Sequence, residues 1–211
     1  LPLPVRPEDL EMAIAGFAAV DLVGFNITIP HKQAILPLLS TVSPTAQTIG
    51  AVNTVWQNEN GWAGTNTDVE GFIAPLQDHN QDWSQTIAVI LGNGGAARAV
   101  VAGCAQLGCA EIHVGGRNKV KLKEFLNSWA NSTLAVKPQV HPWEELLLLM
   151  PQLGATGKHS LLVNTTPIGM YPNVEVSPLS ADQMKLSPGT IVYDLIYNPN
   201  PTQFLQQAQQ Q

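Results

Sequence analysis

The 211-residue chain has little of several features that mark particular classes of protein. It has only two cysteines, Cys104 and Cys109, at no metal-ligand spacing, so we predict reduced, packed thiols in a cytoplasmic protein. The histidines also lack metal-ligand spacing, and we predict no metal site. With 10 basic against 16 acidic residues and no basic run, the composition disfavours a nucleic-acid partner. The apolar run Leu146–Met150 is too short to span a membrane, so we expect no membrane association.

The chain also lacks an initiating methionine, because it begins at Leu1, and it ends in the glutamine-rich run Gln206–Gln211. We expect from this that both ends are cut.

The stretch Thr86–Arg98 has the pattern of a strand, a glycine turn and the start of a helix. Its β-branched apolar residues predict a buried strand, and the turn has the spacing G-x-G-x-x-A. Gly92 would allow the tight turn, Gly94 would let the backbone approach a pyrophosphate, and Ala97 is small enough for close helix packing. The free N–H groups of the helix favour an anion. The predicted dinucleotide-binding loop consists of Gly92, Asn93, Gly94, Gly95, Ala96 and Ala97; the alternative is a strand–helix turn that binds nothing.

Strand and helix patterns alternate from residue 83 onward, which predicts an α/β protein with a doubly wound parallel sheet. The polar stretch Asp78–Ser84 predicts a domain boundary. We therefore predict a first α/β domain over 1–82 that is incomplete at its start, and a Rossmann-like domain over 83–203. Residues 204–211 are predicted to begin a helix that returns to the first domain. The predicted strands of the second domain are Ile87–Leu91, Glu111–Gly115, Leu134–Val140, Leu161–Thr165 and Thr190–Leu195.

The end of the second strand in this domain indicates which dinucleotide binds. NAD-specific sheets place a carboxylate there, whereas an arginine accommodates the 2′-phosphate of NADP. The sequence here is Gly115-Gly116-Arg117-Asn118, without a carboxylate, and Lys121 adds a second positive charge. We therefore predict NADP rather than NAD as the cofactor.

Two charged residues of the first domain have unusual predicted positions. Lys32 follows Pro30 and is predicted in the first turn of a helix that runs to about Leu39, where a cation opposes the helix dipole. Asp68 is predicted at the start of another helix. A solvated lysine and a helix N-cap are the alternatives for these two residues taken singly.

Six segments of the sequence, taken in order, resemble the shikimate dehydrogenase family. The glycine loop differs from the family's G-A-G-G-A-x-R by Asn93 in place of alanine, and Ile27 is a conservative change in N-V-T-x-P-x-K. The segments are Asn26–Lys32 (NITIPHK), Gly50–Thr54 (GAVNT), Asn66–Asp68 (NTD) followed by Gly71, Gly92–Arg98 (GNGGAAR), Asn164–Met170 (NTTPIGM) and Tyr193–Pro199 (YDLIYNP).

The resemblance implies the NADPH-dependent, reversible reduction of 3-dehydroshikimate to shikimate in aromatic amino-acid (chorismate) biosynthesis. It implies that Lys32 and Asp68 form the catalytic pair, with Lys32 exchanging a proton with the substrate oxygen. The implied substrate contacts are Thr28, Asn53 and Tyr197, and the implied cofactor contacts outside the glycine loop are Arg117, Asn118, Lys121, Thr165 and Met170. We expect His31 to be a bystander beside Lys32 and Asn26 to shape its turn.

The chain also departs from the family pattern. It has no match to the family's Ser-x-Ser pair or to its later glutamine segment, and the family's N-R-T reads Gly116-Arg117-Asn118, so that a side-chain donor is lost at Gly116. If the chain is the whole molecule, the two unmatched segments lead us to expect cofactor binding with little or no turnover. A quinate/shikimate dehydrogenase that uses NAD and a non-catalytic NADP-binding module are the alternative functions. A methylenetetrahydrofolate dehydrogenase is disfavoured by the last two segments. We expect a monomer or a homodimer.

Overall fold

The computed structural model of the chain describes residues 1–79, 81–154 and 156–211. The chain divides into two compact units, Leu1–Phe72 and Ile73–Gln211. The limit between them lies inside a helix, Asp68–Gln77, N-terminal to the polar stretch in which we predicted the boundary. Cys104 and Cys109 are free and buried. None of the helices in the described ranges combines the length and apolar character that crossing a bilayer requires.

The first unit contains a four-stranded mixed sheet of order β1-β3-β4-β2. Strand β3 pairs antiparallel with β1 and β4, and β2 pairs parallel with β4. Strands β3 and β4 form a hairpin, in which Asn58 of β3 pairs with Gly61 of β4. The elements are a 3-10 helix Pro7–Asp9, α1 Leu10–Ala19, β1 Gly24–Asn26, a 3-10 helix Leu36–Leu38, β2 Thr41–Val42, α2 Pro44–Ile49, β3 Thr54–Asn58, β4 Gly61–Thr65 and α3 Asp68–Gln77.

A single apolar cluster packs α1 on this sheet. Leu10 and Ile14 of α1 are buried with Ile35, Val55 and Trp62. The indole Nε1 of Trp62 donates to the Ile14 carbonyl over 3.2 Å, so its polar atom is satisfied inside the cluster. This core holds β1, the edge strand that leads into the turn at Lys32.

The predicted helix after Pro30 is wrong. Residues 30–35 form turns, and the only helix that follows before β2 in the described residues is the short 3-10 helix Leu36–Leu38. Pro37 lacks a backbone N–H and its ring clashes with the preceding helical turn, which disfavours an α-helix that continues through residue 39. Lys32 is therefore placed by a turn, not by the first turn of an α-helix.

The second unit is a five-stranded, fully parallel sheet of order β7-β6-β5-β8-β9. From β5 the chain adds β6 and β7 on one side, and it then crosses back to place β8 on the other side of β5. The strand order therefore switches between β5 and β8. The predicted α/β class and Rossmann-like sheet are confirmed. The elements are a 3-10 helix Trp83–Gln85, β5 Thr86–Leu91, α4 Gly95–Leu107, β6 Glu111–Gly116, α5 Lys119–Ser128, β7 Gln139–Pro142, α6 Trp143–Gly154, β8 His159–Asn164, β9 Ile191–Asp194 and α7 Gln203–Ala208.

The last helix, α7, contributes to the core of the second unit. Phe204 is buried in one cluster with Ile87, Leu91 and Leu162. Our prediction that residues 204–211 begin a return to the first domain stays a prediction. In the described part of this region, α7 is attached to β9 by the Thr202–Asp194 hydrogen bond as well as by Phe204.

Candidate active site

The first unit brings Lys32 and Asp68 together, although they are 36 residues apart in the chain. Nζ of Lys32 lies 2.6 Å from Oδ2 of Asp68, and the two side chains are only 15% and 25% exposed. A short pair with limited solvent access is a strong, charge-assisted hydrogen bond. It leaves the ammonium with two further N–H groups that can reach a ligand.

Asn53 fixes the carboxylate of this pair. Its Nδ2 donates to Oδ1 of Asp68 over 2.7 Å and to Oγ1 of Thr67 over 3.1 Å. Its Oδ1 accepts from the Thr67 N–H over 3.0 Å and from the Thr54 hydroxyl over 2.9 Å. Both amide hydrogens of Asn53 are thereby used within the protein. One carboxylate oxygen of Asp68 faces Lys32 and the other faces Asn53, so the carboxylate is held from two sides.

Hydrogen bonds from residues 51, 52 and 66 also fix the backbone around the Lys32–Asp68 pair. The Val52 N–H donates to the Lys32 carbonyl over 2.7 Å. Asn66 accepts from the Asp68 N–H over 2.9 Å and donates to the Ala51 carbonyl over 3.1 Å. Asn66 thus satisfies an N–H in the first turn of α3, and Asp68 keeps its carboxylate for Lys32 and Asn53.

Thr28 and His31 lie in the turn at Lys32, and their side chains have different surroundings. Thr28 is exposed, and its carbonyl accepts from the His31 N–H over 2.9 Å. The His31 ring lies 2.8 Å from the Val5 carbonyl, so it holds the first residues of the chain against this turn. Asn26 donates to the Asn53 carbonyl over 3.4 Å and to the Thr54 hydroxyl over 3.3 Å, so its side chain contacts the start of β3. Its expected role in shaping the turn at Lys32 stays a prediction.

In the second unit, the turn after β5 requires glycine at position 92. Gly92 has φ of 108°, and an added Cβ would lie 2.7 Å from Oγ1 of Thr165. Thr165 is held against this turn, because its hydroxyl donates to the Leu91 carbonyl over 2.8 Å. A side chain at position 92 would be both strained and obstructed.

The N-terminus of α4 is open beyond this turn. Gly94 is its N-cap residue, and no described side chain caps it; its first turn carries no acidic residue. An added Cβ on Gly94 would meet no atom of the described ranges within 4 Å. Unpaired N–H groups next to open space form a place where a phosphate can bind.

The segment after β6 is positively charged. Arg117 and Lys121 are exposed, and residues 116–123 contain no carboxylate. Asn118 is the N-cap of α5, since its Oδ1 accepts from the Lys121 N–H over 3.0 Å. The guanidinium of Arg117 and the ammonium of Lys121 therefore extend from a helix N-terminus that Asn118 holds in place.

A protein of Nostoc sp. (strain PCC 7120) named shikimate dehydrogenase (NADP(+)) is 65% identical to the chain over 213 residues. The alignment covers 100% of this chain and 72% of that relative. The chain belongs to the shikimate dehydrogenase family. The family predicted from the six sequence segments is thereby confirmed.

Other comparisons agree with membership of the shikimate dehydrogenase family. Residues 1–55 match the family described as shikimate dehydrogenase substrate binding domain. Shikimate 5-dehydrogenase of Listeria monocytogenes, solved with shikimate and NAD, has a TM-score of 0.79 and 30% identity and covers 99% of this chain and 72% of that one. The enzyme of Thermus thermophilus, solved with NADP(H) and shikimate, has a TM-score of 0.72 and 31% identity and covers 100% and 70%.

Within this shikimate dehydrogenase chain, the structure assembles only some of the predicted site residues by direct contact. Lys32, Asp68 and Asn53 form one hydrogen-bonded group. Met170 and Tyr197, which follow β8 and β9, are 47% and 89% exposed. Their proposed contacts with ligands stay predictions.

Two groups of residues in the segments that resemble the family had no role in our sequence predictions. Thr67 ties Asn53 to the start of α3. Asn164 donates to Asp194 over 3.0 Å, and Asp194 accepts from Thr202 over 2.7 Å. Burial raises the pKa of Asp194, although its hydrogen bonds oppose the rise. The signal for this link is that Asn164 and Asp194 end neighbouring strands of the parallel sheet.

Proposed function

We propose that the chain carries out the NADPH-dependent, reversible reduction of 3-dehydroshikimate to shikimate, a step of aromatic amino-acid biosynthesis. The observation that carries this function is the 2.6 Å Lys32–Asp68 pair held by Asn53. A carbonyl reduction needs a proton donor for the oxygen, and a positioned ammonium group supplies one. The high identity to a relative named shikimate dehydrogenase (NADP(+)) supports the substrate and the cofactor.

Lys32 is the proposed general acid. As hydride reaches the carbonyl carbon, negative charge forms on the oxygen, and Nζ of Lys32 donates the proton that completes the hydroxyl. In the reverse direction Lys32 accepts that proton. Asp68 holds the ammonium by charge and orients a substrate hydroxyl, and this positioning lowers the entropy lost in reaching the reactive geometry.

Thr28, Asn53 and Tyr197 are the proposed substrate contacts. Hydroxyl and amide groups suit a polyhydroxylated ring, because each hydroxyl left unpaired in a closed site would cost about 1–3 kcal/mol. Thr28 is exposed beside Lys32 and is free to meet such a hydroxyl. Asn53 would have to exchange one of its bonds to Thr67 or Asp68 for a bond to the substrate.

The residues of the second unit fit NADP. The turn at Gly92 and the uncapped α4 can hold the pyrophosphate along Asn93–Ala97, and Arg117 with Lys121 can hold the 2′-phosphate. Asn118 places these cations by capping α5, and Thr165 supports Gly92. Met170 is proposed to lie beside the cofactor. When bound as NADPH, the cofactor supplies the hydride.

The alternative functions are less consistent with these residues. An NAD-dependent quinate/shikimate dehydrogenase is disfavoured by the charge after β6, where Arg117 stands and residues 116–123 contain no carboxylate. A non-catalytic NADP-binding module has no need of a partly buried Lys–Asp pair. The two free thiols, Cys104 and Cys109, support a cytoplasmic protein. We propose a monomer or a homodimer.

The purified full-length protein, given shikimate and NADP⁺, should produce NADPH, which is followed by its absorbance. We expect Lys32→Ala and Asp68→Asn to lower kcat by about 10²–10⁴-fold, the usual contribution of a general acid. NADP⁺ affinity, measured separately, should stay within about twofold, since both residues lie outside the cofactor-binding segments. Full activity in both variants would refute the assigned roles. Activity with quinate but not with shikimate would refute the substrate.

A further inference from the structure

Two residues that depart from the family's cofactor motifs lie against each other in the structure. Asn93 stands where the family's glycine loop has alanine, and Gly116 stands where its loop after the second strand has asparagine. An added Cβ on Gly116 would lie 2.8 Å from Oδ1 and 3.0 Å from Cγ of Asn93, and 3.0 Å from Cδ2 of Leu122. Real side-chain atoms do not approach so closely. The carboxamide of Asn93 therefore occupies the space that a side chain at position 116 would enter.

The parallel pairing of β5 and β6 explains why the two positions meet. Leu91 pairs with Gly115, and the Gly92 N–H donates to the Gly115 carbonyl over 2.9 Å. This bond continues the ladder past the end of β5 and fixes the glycine loop beside the end of β6. A side chain can thus reach the same space from either of two neighbouring strand ends.

The carboxamide of Asn93 has an unused hydrogen-bond donor. Its Nδ2 is buried and has no hydrogen-bond partner among the described residues. A buried donor without an acceptor is unfavourable, and native proteins seldom keep one unless a ligand or water completes it. A half-turn of the terminal torsion exchanges Nδ2 and Oδ1, so the group can present its N–H at either place.

The surroundings identify the chemistry of the missing acceptor. Gly116 is followed at once by Arg117, and Lys121 lies in the first turn of α5. These cations favour a phosphate dianion, and a neutral amide donor adds a directional hydrogen bond that a flexible lysine does not provide.

We infer that Asn93 replaces the lost side-chain donor of position 116 and hydrogen-bonds the phosphorylated adenosine ribose of NADP together with Arg117. This inference rests on the proposed use of NADP. It makes Asn93 a specificity-determining residue, and it requires that an asparagine stand at one of the two positions and a small residue at the other.

The test is a set of three variants whose affinities for NADP⁺, 2′,5′-ADP and 5′-AMP are measured by isothermal titration calorimetry. Asn93→Ala should bind NADP⁺ and 2′,5′-ADP about tenfold more weakly and 5′-AMP unchanged. Gly116→Asn alone should bind all three poorly, because its side chain collides with Asn93. The double variant Asn93→Ala/Gly116→Asn, which has the family's arrangement, should recover most of the affinity for 2′,5′-ADP.

Two results would overturn the inference while the proposed function stands: unchanged 2′,5′-ADP affinity in Asn93→Ala, or a double variant no tighter than Asn93→Ala. Melting temperatures of all the variants without ligand separate lost folding from lost contact. A variant that is already unfolded at the temperature of the titration is replaced by Asn93→Ser. Serine keeps a hydrogen-bond donor, so the affinity of Asn93→Ser for 2′,5′-ADP should lie between those of the wild type and Asn93→Ala. A wild-type chain that binds 5′-AMP as tightly as 2′,5′-ADP would refute the NADP assignment itself, and this inference with it.

Discussion

At the scale of single residues, the side chain of Asn53 holds several neighbouring side chains of the first unit in place. Asn53 was predicted as a substrate contact, and the structure shows it bonded to Asp68, Thr67 and Thr54. A carboxamide that donates twice and accepts twice fixes its neighbours on both sides. Its geometry makes the position of the Asp68 carboxylate depend on residue 53.

We expect Asn53→Ala to affect both activity and folding. It removes an acceptor and two donors from groups that are largely shielded from water, so the free energy of unfolding should fall by about 1–3 kcal/mol. Because Asp68 loses one of its two restraints, kcat should fall at least about tenfold. Gln57→Ala, in the exposed part of β3, is the matched control and should leave both unchanged. Chemical denaturation and the shikimate assay measure the two effects; wild-type kcat in Asn53→Ala would contradict the positioning role.

At the scale of elements, the loop between β5 and α4 combines two glycines with different physical requirements. Gly92 has a positive φ and faces Thr165, whereas Gly94 has φ of −87° and faces open space. The first glycine is required by the fold. The second leaves room for a ligand, so the two substitutions should separate stability from binding.

We expect Gly92→Ala to lower the free energy of unfolding by about 1–3 kcal/mol, because the left-handed backbone is strained and the methyl group meets Thr165. Gly94→Ala should keep the wild-type melting temperature but weaken NADP⁺ binding about tenfold or more, because the methyl group fills space proposed for the pyrophosphate. Thermal melting and calorimetric titration test the pair. Wild-type NADP⁺ affinity in Gly94→Ala would place the pyrophosphate elsewhere.

A second element-scale feature joins the starts of β6 and β8, the two strands that flank β5 in the sheet. Lys158, just before β8, lies 2.7 Å from Glu111 at the start of β6, and the other oxygen of Glu111 lies 3.2 Å from His113. The hydrogen bond from Lys158 is the main cause that lowers the pKa of Glu111. A carboxylate with a lowered pKa in the fold stabilises the fold above its unfolded pKa, and this contribution is lost as pH falls through the folded value.

We therefore expect Glu111→Gln to reduce the free energy of unfolding near neutral pH by less than about 1 kcal/mol, because the pair is one-third exposed and screened by solvent. The difference should shrink as the solution is acidified and disappear once the carboxyl is protonated in both states. Urea denaturation over a pH series measures it. A penalty that persists in strong acid would show that packing, not charge, causes it.

At the scale of the whole molecule, the two compact units carry different proposed ligands. Lys32 and Asn53 belong to the first unit, whereas the glycine loop and Arg117 belong to the second. Each unit has its own apolar cluster, so each can hold its site rigidly. Binding stabilises the state that binds, and the protection should be strongest where the contacts are made.

We expect hydrogen exchange to assign the ligands to the units. NADP⁺ alone should give its largest protection in peptides that cover residues 86–98 and 111–121. Shikimate alone should give its largest protection in peptides that cover residues 24–34 and 51–70. Adenosine, which lacks phosphates, is the control ligand and should protect neither set strongly. Protection of the first unit by NADP⁺ and of the second by shikimate would contradict the proposed placement of the two ligands.

Much of the second unit could be predicted from the sequence, whereas the first was less predictable. The runs Ile87–Leu91 and Glu111–Gly115 were placed within about a residue of β5 and β6. For β5 the reason is that a strand buried on both faces is a continuous apolar run, here ended by Gly92. Strand β2 and helix α2 of the first unit have two and six residues, too short to give a periodic pattern, and neither was predicted.

The sequence by itself determined the family, the parallel sheet and NADP as the cofactor, because these depend on local spacing and on the order of motifs along the chain. Tertiary structure alone decided which direct contacts the individual side chains make. It turned Lys32 toward Asp68, directed His31 to Val5, and placed Asn93 in the space beside Gly116. Such contacts depend on how strands and turns distant in sequence pair and pack, and local spacing contains no record of that pairing.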